Sequence, residues 1–231
     1  MADHQQAAGA AKRAAGYRAA EMIEDGMVVG LGTGSTVFFM IERLRTRMGE
    51  GIEILGIPTS YQTAIRAREF GIPLTTLDEH PVIDIAVDGA DQVDPLLRLI
   101  KGRGAAHTRE KIVAAAARKF VIVSDDAKMV ARLFGQVPVE VIPFAVTPVI
   151  DQLRALGSVP VIRDGVRKDG PVISDNGNFI LDCTFADITD PSTLETDIAA
   201  IAGVVESGLF TTFTEKTTVI VGGEKECRII H

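Results

Sequence analysis

Two periodicities of apolar residues alternate over about the first 145 residues of the chain. Short apolar runs are typical of strands buried on both faces of a sheet. The stretches between them repeat apolar residues every three or four positions, which is typical of amphipathic helices. Strands that alternate with helices predict a parallel α/β sheet. The predicted strands are 27–31, 53–57, 82–87 and 120–125, and the predicted helices are 11–24, 36–48, 60–70 and 108–119.

The rhythm changes near Pro138. Residues 138–207 predict the order strand, helix, strand, strand, helix, with room for a closing strand, which is typical of a small split β-α-β sandwich. The last apolar run, TTVIVG, is expected to return to the main sheet. We therefore expect a main domain of residues 1–137 and 208–231 and a small domain of residues 138–207. The elements of the small domain are strand VEVIPFA, a helix over 148–156 capped by Thr147, strands over 159–163 and 178–185, and a helix over 191–201.

Composition and charge disfavour several classes of protein. Hydrophobic residues make up 46% of the 231 residues, enough for a buried core. The net charge is −7 and the cations are scattered, so we expect no nucleic acid partner. The start lacks a signal-peptide pattern and no apolar run reaches about 18 residues, so we expect a cytoplasmic location and no membrane partner. The cysteines and histidines lie far apart, which predicts thiols and no metal site.

The loop GLGTGST at 30–36 follows the first predicted strand and opens a helix. Backbone N–H groups and hydroxyls that converge at a helix start form an anion site. The loop has no Walker lysine, and Ser35 stands where a dinucleotide fingerprint requires glycine. Two interpretations are left: a tight strand-to-helix turn, or a phosphate cradle, which we favour.

Two carboxylates, Asp88 and Asp91, stand in the string DGAD directly after the strand at 82–87. Open α/β sheets bind ligands at the carboxyl ends of their strands, so both side chains are expected to point into one crevice. The same pattern suits an Asx turn that caps backbone amides. Asp94, which Pro95 follows, is expected to serve a turn only.

A lysine and a third carboxylate come next. Lys101 precedes a loop of small residues that lets a ligand approach the backbone, and Glu110 lies in the first turn of a helix capped by Thr108. Taken singly, Lys101 would be a solvated cation and Glu110 a helix-start acid. Both fall at the sheet edge expected for the loop at 30–36 and for DGAD. This convergence predicts a binding site.

The chain contains, in this order, the strings GLGTGST, DGAD, KGRGAAHTREKI, SDDAK, PVEVIPFA, DNGNFILD and GVVESGLF. Together they resemble ribose-5-phosphate isomerase, type A. The resemblance covers about 12–221 and implies a cofactor-free aldose–ketose isomerase of the pentose phosphate pathway, which interconverts ribose 5-phosphate and ribulose 5-phosphate. It also implies a homodimer or homotetramer. The implied fold is α/β, a Rossmann-like, mainly parallel sheet with flanking helices plus a small ferredoxin-like α+β domain.

The resemblance also implies the site residues. Two positions depart from the usual string KGGGAAL of the family. Arg103 replaces a glycine, which puts the backbone shape of that loop in question, and His107 replaces a leucine, which we expect to be a packing or helix-start substitution. The implied substrate-binding residues are Lys12, Thr33, Gly34, Ser35, Thr36, Asp88, Gly89, Ala90, Asp91, Lys101, Gly102, Arg103, Gly104 and Lys128.

Such an isomerase must open the sugar ring, move a proton between C1 and C2, and stabilise oxyanion charge. The resemblance places the base at Glu110. We expect Lys101 to face the charge that develops on O1 and O2, Asp88 to serve ring opening, and Asp91 to orient Lys101 or a sugar hydroxyl. Neither a metal nor a cofactor is needed for these steps.

Two other functions compete with this interpretation. A non-catalytic sugar-phosphate sensor would use the same sheet edge but would carry a DNA-binding module, for which the roughly 25 residues before the first strand are too few. A nucleotide-dependent oxidoreductase would need the dinucleotide fingerprint, which fails here. We therefore expect the partner to be a small sugar phosphate.

Overall fold

The computed structural model describes the backbone of residues 2–223 and 226–231, and side chains from residue 9 onwards. Within these ranges the helices are α1 (Ala2–Ala20), α2 (Ser35–Gly49), α3 (Tyr61–Glu69), α4 (His107–Ala116), α5 (Val146–Ala155) and α6 (Pro191–Ala199). The strands are β1 (Val28–Leu31), β2 (Leu55–Pro58), β3 (Ile83–Gly89), β4 (Gln92–Val93), β5 (Leu99–Ile100), β6 (Ala117–Asp125), β7 (Gly135–Val141), β8 (Ser158–Ile162), β9 (Phe179–Phe185), β10 (Val204–Ser207), β11 (Leu209–Phe210), β12 (Thr217–Gly222) and β13 (Arg228–Ile230).

The chain divides into two compact units. The first contains Met1–Ala90, Arg109–Met129 and Phe213–His231, and the second contains Asp91–Thr108 and Val130–Thr212. The second unit thus takes in 91–108 and 130–137, which the sequence analysis assigned to the main domain. In this unit β5 pairs with β11, and β7 begins at Gly135 rather than after Pro138. The domain limits expected from the sequence stay a prediction.

The first unit is built on a six-stranded sheet in the order β13-β12-β6-β3-β1-β2. All neighbouring strands are parallel except β13, which is antiparallel to β12. The predicted α/β class is therefore confirmed. So is the return of TTVIVG to this sheet, because β12 pairs with β6 along its whole length. The four residues of β1 are all buried, as its continuous apolar run predicts.

The direction of the chain across this sheet reverses next to β1. From β1 the chain moves to β2 on one side, and β3 then pairs with β1 on the other side. Such a reversal leaves a crevice at the carboxyl ends of the two strands, where open α/β sheets bind their ligands. Here the crevice lies between the residues after Leu31 and the end of β3, at Asp88.

Helix α1 packs closely against α2. A Cβ on Gly16 would lie 2.7 Å from the carbonyl oxygen of Thr36, so only glycine permits this approach. Further along, the Tyr17 hydroxyl donates to the Glu42 carboxylate at 2.8 Å, and Arg47 donates to the carbonyl of Ile23 at 2.5 Å. Because residue numbers rise together on both helices, α1 and α2 run roughly parallel.

The second unit contains a four-stranded antiparallel sheet in the order β10-β7-β9-β8. Strand β9 lies between β7 and β8, and β10 closes the far edge, which is the split β-α-β order predicted for this region. Buried Val149 and Leu153 of α5 and Ile198 of α6 belong to its core. A three-stranded sheet, β11-β5-β4, was not predicted, because strands of two residues leave no periodic pattern.

Two predicted helix caps are wrong. Helix α4 begins at His107, and the Thr108 hydroxyl donates to the Glu140 carboxylate at 2.5 Å instead of capping the helix. Helix α5 begins at Val146, so Thr147 lies inside it. By contrast, the predicted start of the last helix after Asp190 is confirmed, because its carboxylate accepts two backbone N–H bonds at the helix start.

Several predicted limits also need correction. The helix predicted over 11–24 is α1, which begins earlier and ends at Ala20. The helix predicted over 108–119 ends at Ala116, because β6 already begins at Ala117. Strand VEVIPFA stops at Val141, since a 3₁₀ turn begins at Pro143, whose ring nitrogen cannot donate to a sheet.

Among the described residues, no helix is both long and apolar enough to cross a bilayer.

The close contact of α1 with the end of β12 gives a stability prediction. A Cβ on Gly222 would collide with the carbonyl oxygen of Ala11, so Gly222→Ala must displace α1. We expect the free energy of unfolding to fall by about 1–3 kcal/mol, measured by urea denaturation. Gly49→Ala is the control, because a Cβ there meets nothing within 4 Å. Equal stability of the two variants would contradict this packing.

Candidate active site

The loop after β1 presents the start of α2 as an anion-binding surface. Gly34 precedes the helix with φ of 130°, a conformation that favours glycine, and no side chain caps the helix start. The first N–H groups of a helix have no partner inside it, so those at the start of α2 are available to an anion. Gly34 and Ser35 are exposed and Thr36 is half-buried.

A ring of hydroxyl groups from Thr33, Ser60 and Thr63 holds this loop through hydrogen bonds. The Thr33 hydroxyl donates to Ser60 at 2.8 Å, Ser60 donates to Thr63 at 3.0 Å, and Thr63 donates to the Gly32 carbonyl at 2.8 Å. Thr59 adds a contact of 2.9 Å to the Thr33 oxygen. The sequence analysis missed Thr59 and Thr63 and took Ser60 only as the start of a helix. The available signal was a cluster of hydroxyl residues directly after the neighbouring strand β2.

Asp88 closes the crevice at the end of β3. Its side chain is buried, and Oδ1 accepts hydrogen bonds from the Thr33 N–H at 3.1 Å and the Gly89 N–H at 2.7 Å. Gly32 must be glycine, since a Cβ there would collide with this carboxylate. Asp88 Oδ1 therefore caps backbone amides, which is one of the two interpretations that the sequence leaves open for this residue. Thr33 uses its N–H and its hydroxyl inside the protein, so its role toward substrate stays a prediction.

The position of Glu110 follows from the packing of α4. Val113, one turn later in α4, lies over Gly30 and Ala86, where a Cβ on Gly30 would be 2.5 Å from Val113. Glu110 lies about 4.5 Å nearer the helix start, and Asp88 lies about 6.6 Å beyond Ala86 along β3. The two carboxylates therefore reach similar levels at the same sheet edge. Glu110 is 6% exposed, so it does not open onto bulk water.

Two predicted lysines lie at this edge as well. Lys12 is one turn before Gly16 on the same face of α1, and α1 runs parallel to α2, so residue 12 lies beside the start of α2. Lys128 lies in the 3₁₀ turn Asp126–Lys128, directly after β6. The first unit thus gathers these predicted site residues at the carboxyl ends of its strands: Lys12, Thr33, Gly34, Ser35, Thr36, Asp88, Gly89, Ala90, Glu110 and Lys128.

The other predicted residues belong to the second unit. Asp91 accepts a hydrogen bond from the Arg103 N–H through Oδ2 at 3.0 Å. The Lys101 side chain is 3% exposed, and its ammonium lies 5.5 Å from the ring centroid of Phe210. Lys101 is therefore not the solvated cation that this residue would be if taken singly. Gly102 and Gly104 lie in the same loop.

The two departures from the family string have structural explanations. Arg103 is exposed and does not have a positive φ, so this position does not require glycine. Gly102, with φ of 106°, does require it. His107 is fully buried, and its Nε2 lies 3.3 Å from the Glu206 carbonyl, which fits the expected packing substitution. Asp94 serves its turn as expected, because Oδ1 accepts the N–H groups of two following residues.

A buried carboxylate outside the predicted set holds the start of α4. Glu140 is fully buried and accepts hydrogen bonds from Thr108 at 2.5 Å, Ser174 at 2.8 Å and Asn178 at 2.8 Å. Asn176 donates to it at 3.0 Å. Burial raises the pKa of Glu140, but these four donors more than offset it and hold the pKa below its ordinary value. The signal in the sequence was a lone glutamate inside an apolar strand.

Within the part of the chain that the structure describes, no three His, Cys, Asp or Glu side chains are placed to hold a metal ion together. A cavity of about 270 Å³ opens beside the start of α2, between α2 and α3. It is lined by Gly32, Gly34, Ser35, Val37, Phe38, Ile41, Gln62, Thr63 and Arg66.

Comparison with known proteins agrees with this geometry. Residues 55–226 match the family model of ribose 5-phosphate isomerase A, also called phosphoriboisomerase A. The chain belongs to this family. The ribose-5-phosphate isomerase A of Methanoregula boonei is 64% identical over 230 residues, which is 100% of this chain and 97% of the relative. As a member of the ribose 5-phosphate isomerase A family, the chain is an isomerase.

Two solved structures extend the similarity to the whole fold. Ribose 5-phosphate isomerase A from Methanocaldococcus jannaschii is 46% identical, with a TM-score of 0.90 over 95% of this chain and 97% of that one. A D-ribose-5-phosphate isomerase in complex with phospho-erythronic acid is also 46% identical, with a TM-score of 0.91 and the same coverage. The fold of the family therefore extends over both units.

Glu140 gives a pH-dependent prediction. Because its folded pKa is lowered, its contribution to stability is present above the ordinary carboxyl pKa of about 4.3 and is lost as pH falls through the folded pKa. We expect Glu140→Gln to lower the free energy of unfolding at pH 7 by about 2–3 kcal/mol. The difference from the unsubstituted protein should shrink below about pH 4.

Urea denaturation at a series of pH values measures this difference. The matched control is Glu24→Gln, since Glu24 is exposed. A constant difference across pH would show that the charge of Glu140 is not what stabilises the fold.

Proposed function

We propose that the chain interconverts ribose 5-phosphate and ribulose 5-phosphate through a cis-enediolate, with Glu110 as the base. The observation that supports this most directly is the burial of the Glu110 carboxylate in the first turn of α4, in the unit that also carries the uncapped start of α2. One end of such a site binds a phosphate. The other end moves a proton.

The phosphate is assigned to the start of α2. Gly34, Ser35 and Thr36 offer N–H groups and hydroxyls that the hydroxyl ring below does not use. The partial positive charge at a helix start favours a dianion. Lys12, which lies beside this helix start, adds a full positive charge on the same side. This arrangement holds the end of the sugar that does not react.

Glu110 is assigned the proton transfer between C1 and C2. One carboxylate placed between two neighbouring carbons takes a proton from one and returns it to the other. Triosephosphate isomerase solves the same chemical problem with a glutamate base. Burial keeps water from competing for the proton, and Glu110 is only 6% exposed.

The remaining roles are carried over from the family resemblance. Asp88 opens the sugar ring and moves hydroxyl protons, Lys101 stabilises the charge on O1 and O2, and Asp91 orients a sugar hydroxyl or Lys101. A preorganised donor in such a position contributes roughly 3–4 kcal/mol to transition-state stabilisation. Gly89, Ala90, Lys128 and the loop at 101–104 complete the proposed contacts with the substrate.

The ligand of one similar solved structure supports this chemistry. Phospho-erythronic acid, bound in that protein, is a four-carbon acid that carries a phosphate. Its planar carboxylate has two oxygens on one carbon end, much as O1 and O2 are arranged in a cis-enediolate. A site that binds both its ends is therefore suited to the enediolate. A homodimer or homotetramer is proposed on the resemblance alone, and the cytoplasmic location that the sequence leads us to expect stays a proposal.

A coupled assay of ribose 5-phosphate conversion, with chelator and without added cofactor, tests the activity. In the same assay we expect Glu110→Gln to lower kcat by about 10²–10⁴-fold, because the amide keeps the shape and loses the basicity. Calorimetry should show phospho-erythronic acid binding to the variant with an affinity near that of the unsubstituted protein.

Glu24→Gln, an exposed glutamate, is the control and should keep full turnover. Retained turnover in Glu110→Gln would defeat the assignment of the base. An inactive unsubstituted protein would defeat the proposed reaction itself.

The phosphate cradle predicts a different kinetic signature. Thr36→Ala removes one hydroxyl from the end of the site that does not react, so KM for ribose 5-phosphate should rise by about tenfold. The value of kcat should fall by less than KM rises. Thr46→Ala, an exposed position on the same helix, is the matched control. A large fall in kcat with an unchanged KM would place Thr36 at the reacting end instead.

A further inference from the structure

The loop at 101–104 is held through its backbone. The Lys101 N–H donates to the Gly208 carbonyl at 2.8 Å, and the Arg103 N–H donates to Asp91 at 3.0 Å. Gly102 has φ of 106°. A glycine with positive φ has many alternative conformations in an isolated chain. The shape of this loop therefore depends on the groups that bind its peptides.

Arg163 binds the other edge of the same peptides. Its Nη1 donates to the Gly102 carbonyl at 2.9 Å and to the Arg103 carbonyl at 3.1 Å. In a planar trans peptide the C=O and the N–H lie on opposite edges. The peptide that joins Gly102 to Arg103 is thus bound on both edges, by Arg163 at its oxygen and by Asp91 at its nitrogen. The Gly104 N–H, on the next peptide, is directed away from Arg163.

Asp182 fixes the guanidinium that makes these bonds. Arg163 Nε donates to Asp182 Oδ2 at 2.9 Å, and Nη2 donates to Oδ1 at 2.5 Å. Both side chains are only 15% exposed. The Arg163 N–H also donates to the Ile180 carbonyl at 2.8 Å. Because Asp182 lies within β9 and Arg163 directly follows β8, the regular sheet carries this pair.

The geometry requires arginine. Its planar guanidinium offers donors in several fixed directions, so one group binds a carboxylate with Nε and Nη2 and two carbonyls with Nη1. A lysine has one ammonium at the end of a flexible stem and cannot reach both sides in this way. An exchange to lysine keeps the charge beside Asp182 and loses the bonds to the loop.

We propose that Arg163, oriented by Asp182, is a positioning residue that holds the 101–104 loop in the conformation that meets the substrate. This inference rests on the proposed function, which assigns Lys101 and the loop at 101–104 to the substrate. Arg163 acts through the peptides of Gly102 and Arg103. Its loss should therefore affect the reacting geometry more than the affinity for substrate.

The kinetic test compares Arg163→Lys with Arg98→Lys. Arg98 forms a similar half-buried pair with Asp94, at 2.7 Å, in the same unit. We expect Arg163→Lys to lower kcat by about 10–100-fold, the cost of a small misplacement, with KM changed by less than about threefold. Arg98→Lys should keep both values. Asp182→Asn, which releases the guanidinium, provides a second variant and should show the same kind of loss.

Hydrogen exchange gives a readout that does not depend on catalysis. The amides of Arg103 and Ala105, which donate to Asp91 and to the Gly102 carbonyl, should exchange at least about tenfold faster in Arg163→Lys, while those of β7 and β9 keep their rates. Unchanged kcat and unchanged exchange in Arg163→Lys and Asp182→Asn would overturn the inference. An inactive unsubstituted protein would refute the proposed reaction instead, and the exchange rates would still decide the role of Arg163.

Discussion

The contact between Asp88 and Gly32 is the constraint on which the active-site edge depends. The Asp88 carboxylate occupies the space where a side chain at residue 32 would stand, and it accepts the N–H of Thr33. This places a buried carboxylate beside the loop that opens α2, at the point where the chain reverses its direction across the sheet. A glycine that looks like a turn residue in the sequence is required here by a neighbouring strand.

The fold was predictable where one element carries its own pattern. Strands β1, β3 and β12 lie in mostly apolar segments, and each belongs to the parallel sheet as expected. The prediction was wrong where a partner distant in sequence decides. Thr108 is a residue type that commonly caps helices. Its hydroxyl instead donates to Glu140, because a buried carboxylate without a donor costs more free energy than an uncapped helix start. Two-residue strands such as β4 and β5 are defined only by their pairing, β4 with β5 and β5 also with β11.

The proposed site shows the same division. The glycine loop, the DGAD carboxylates and Glu110 could be proposed from the sequence because their chemistry is local: each follows a strand or begins a helix. Thr63 and Arg163 were missed because each binds a loop that is distant in the chain. Thr63 lies 31 residues from Gly32, and Arg163 lies 60 residues from Arg103. A hydroxyl or a guanidinium gives no sign in the sequence of the carbonyl oxygen that it binds. Only the fold shows that such groups hold the loops that are proposed to bind the substrate.

The way in which the 101–104 loop is held explains the unusual arginine within it. Arg163 and Asp91 bind the carbonyls and an N–H of the main chain, so the shape of the loop does not depend on the side chain at position 103. That side chain is exposed, and its backbone does not adopt a positive φ. Gly102, one residue earlier, does adopt one, and a Cβ on it would lie 2.8 Å from the His107 ring and 3.1 Å from Pro138, so a side chain there would be both strained and crowded. A loop fixed through its peptides therefore tolerates a large residue at 103 and requires glycine at 102, which is the pattern that this chain has.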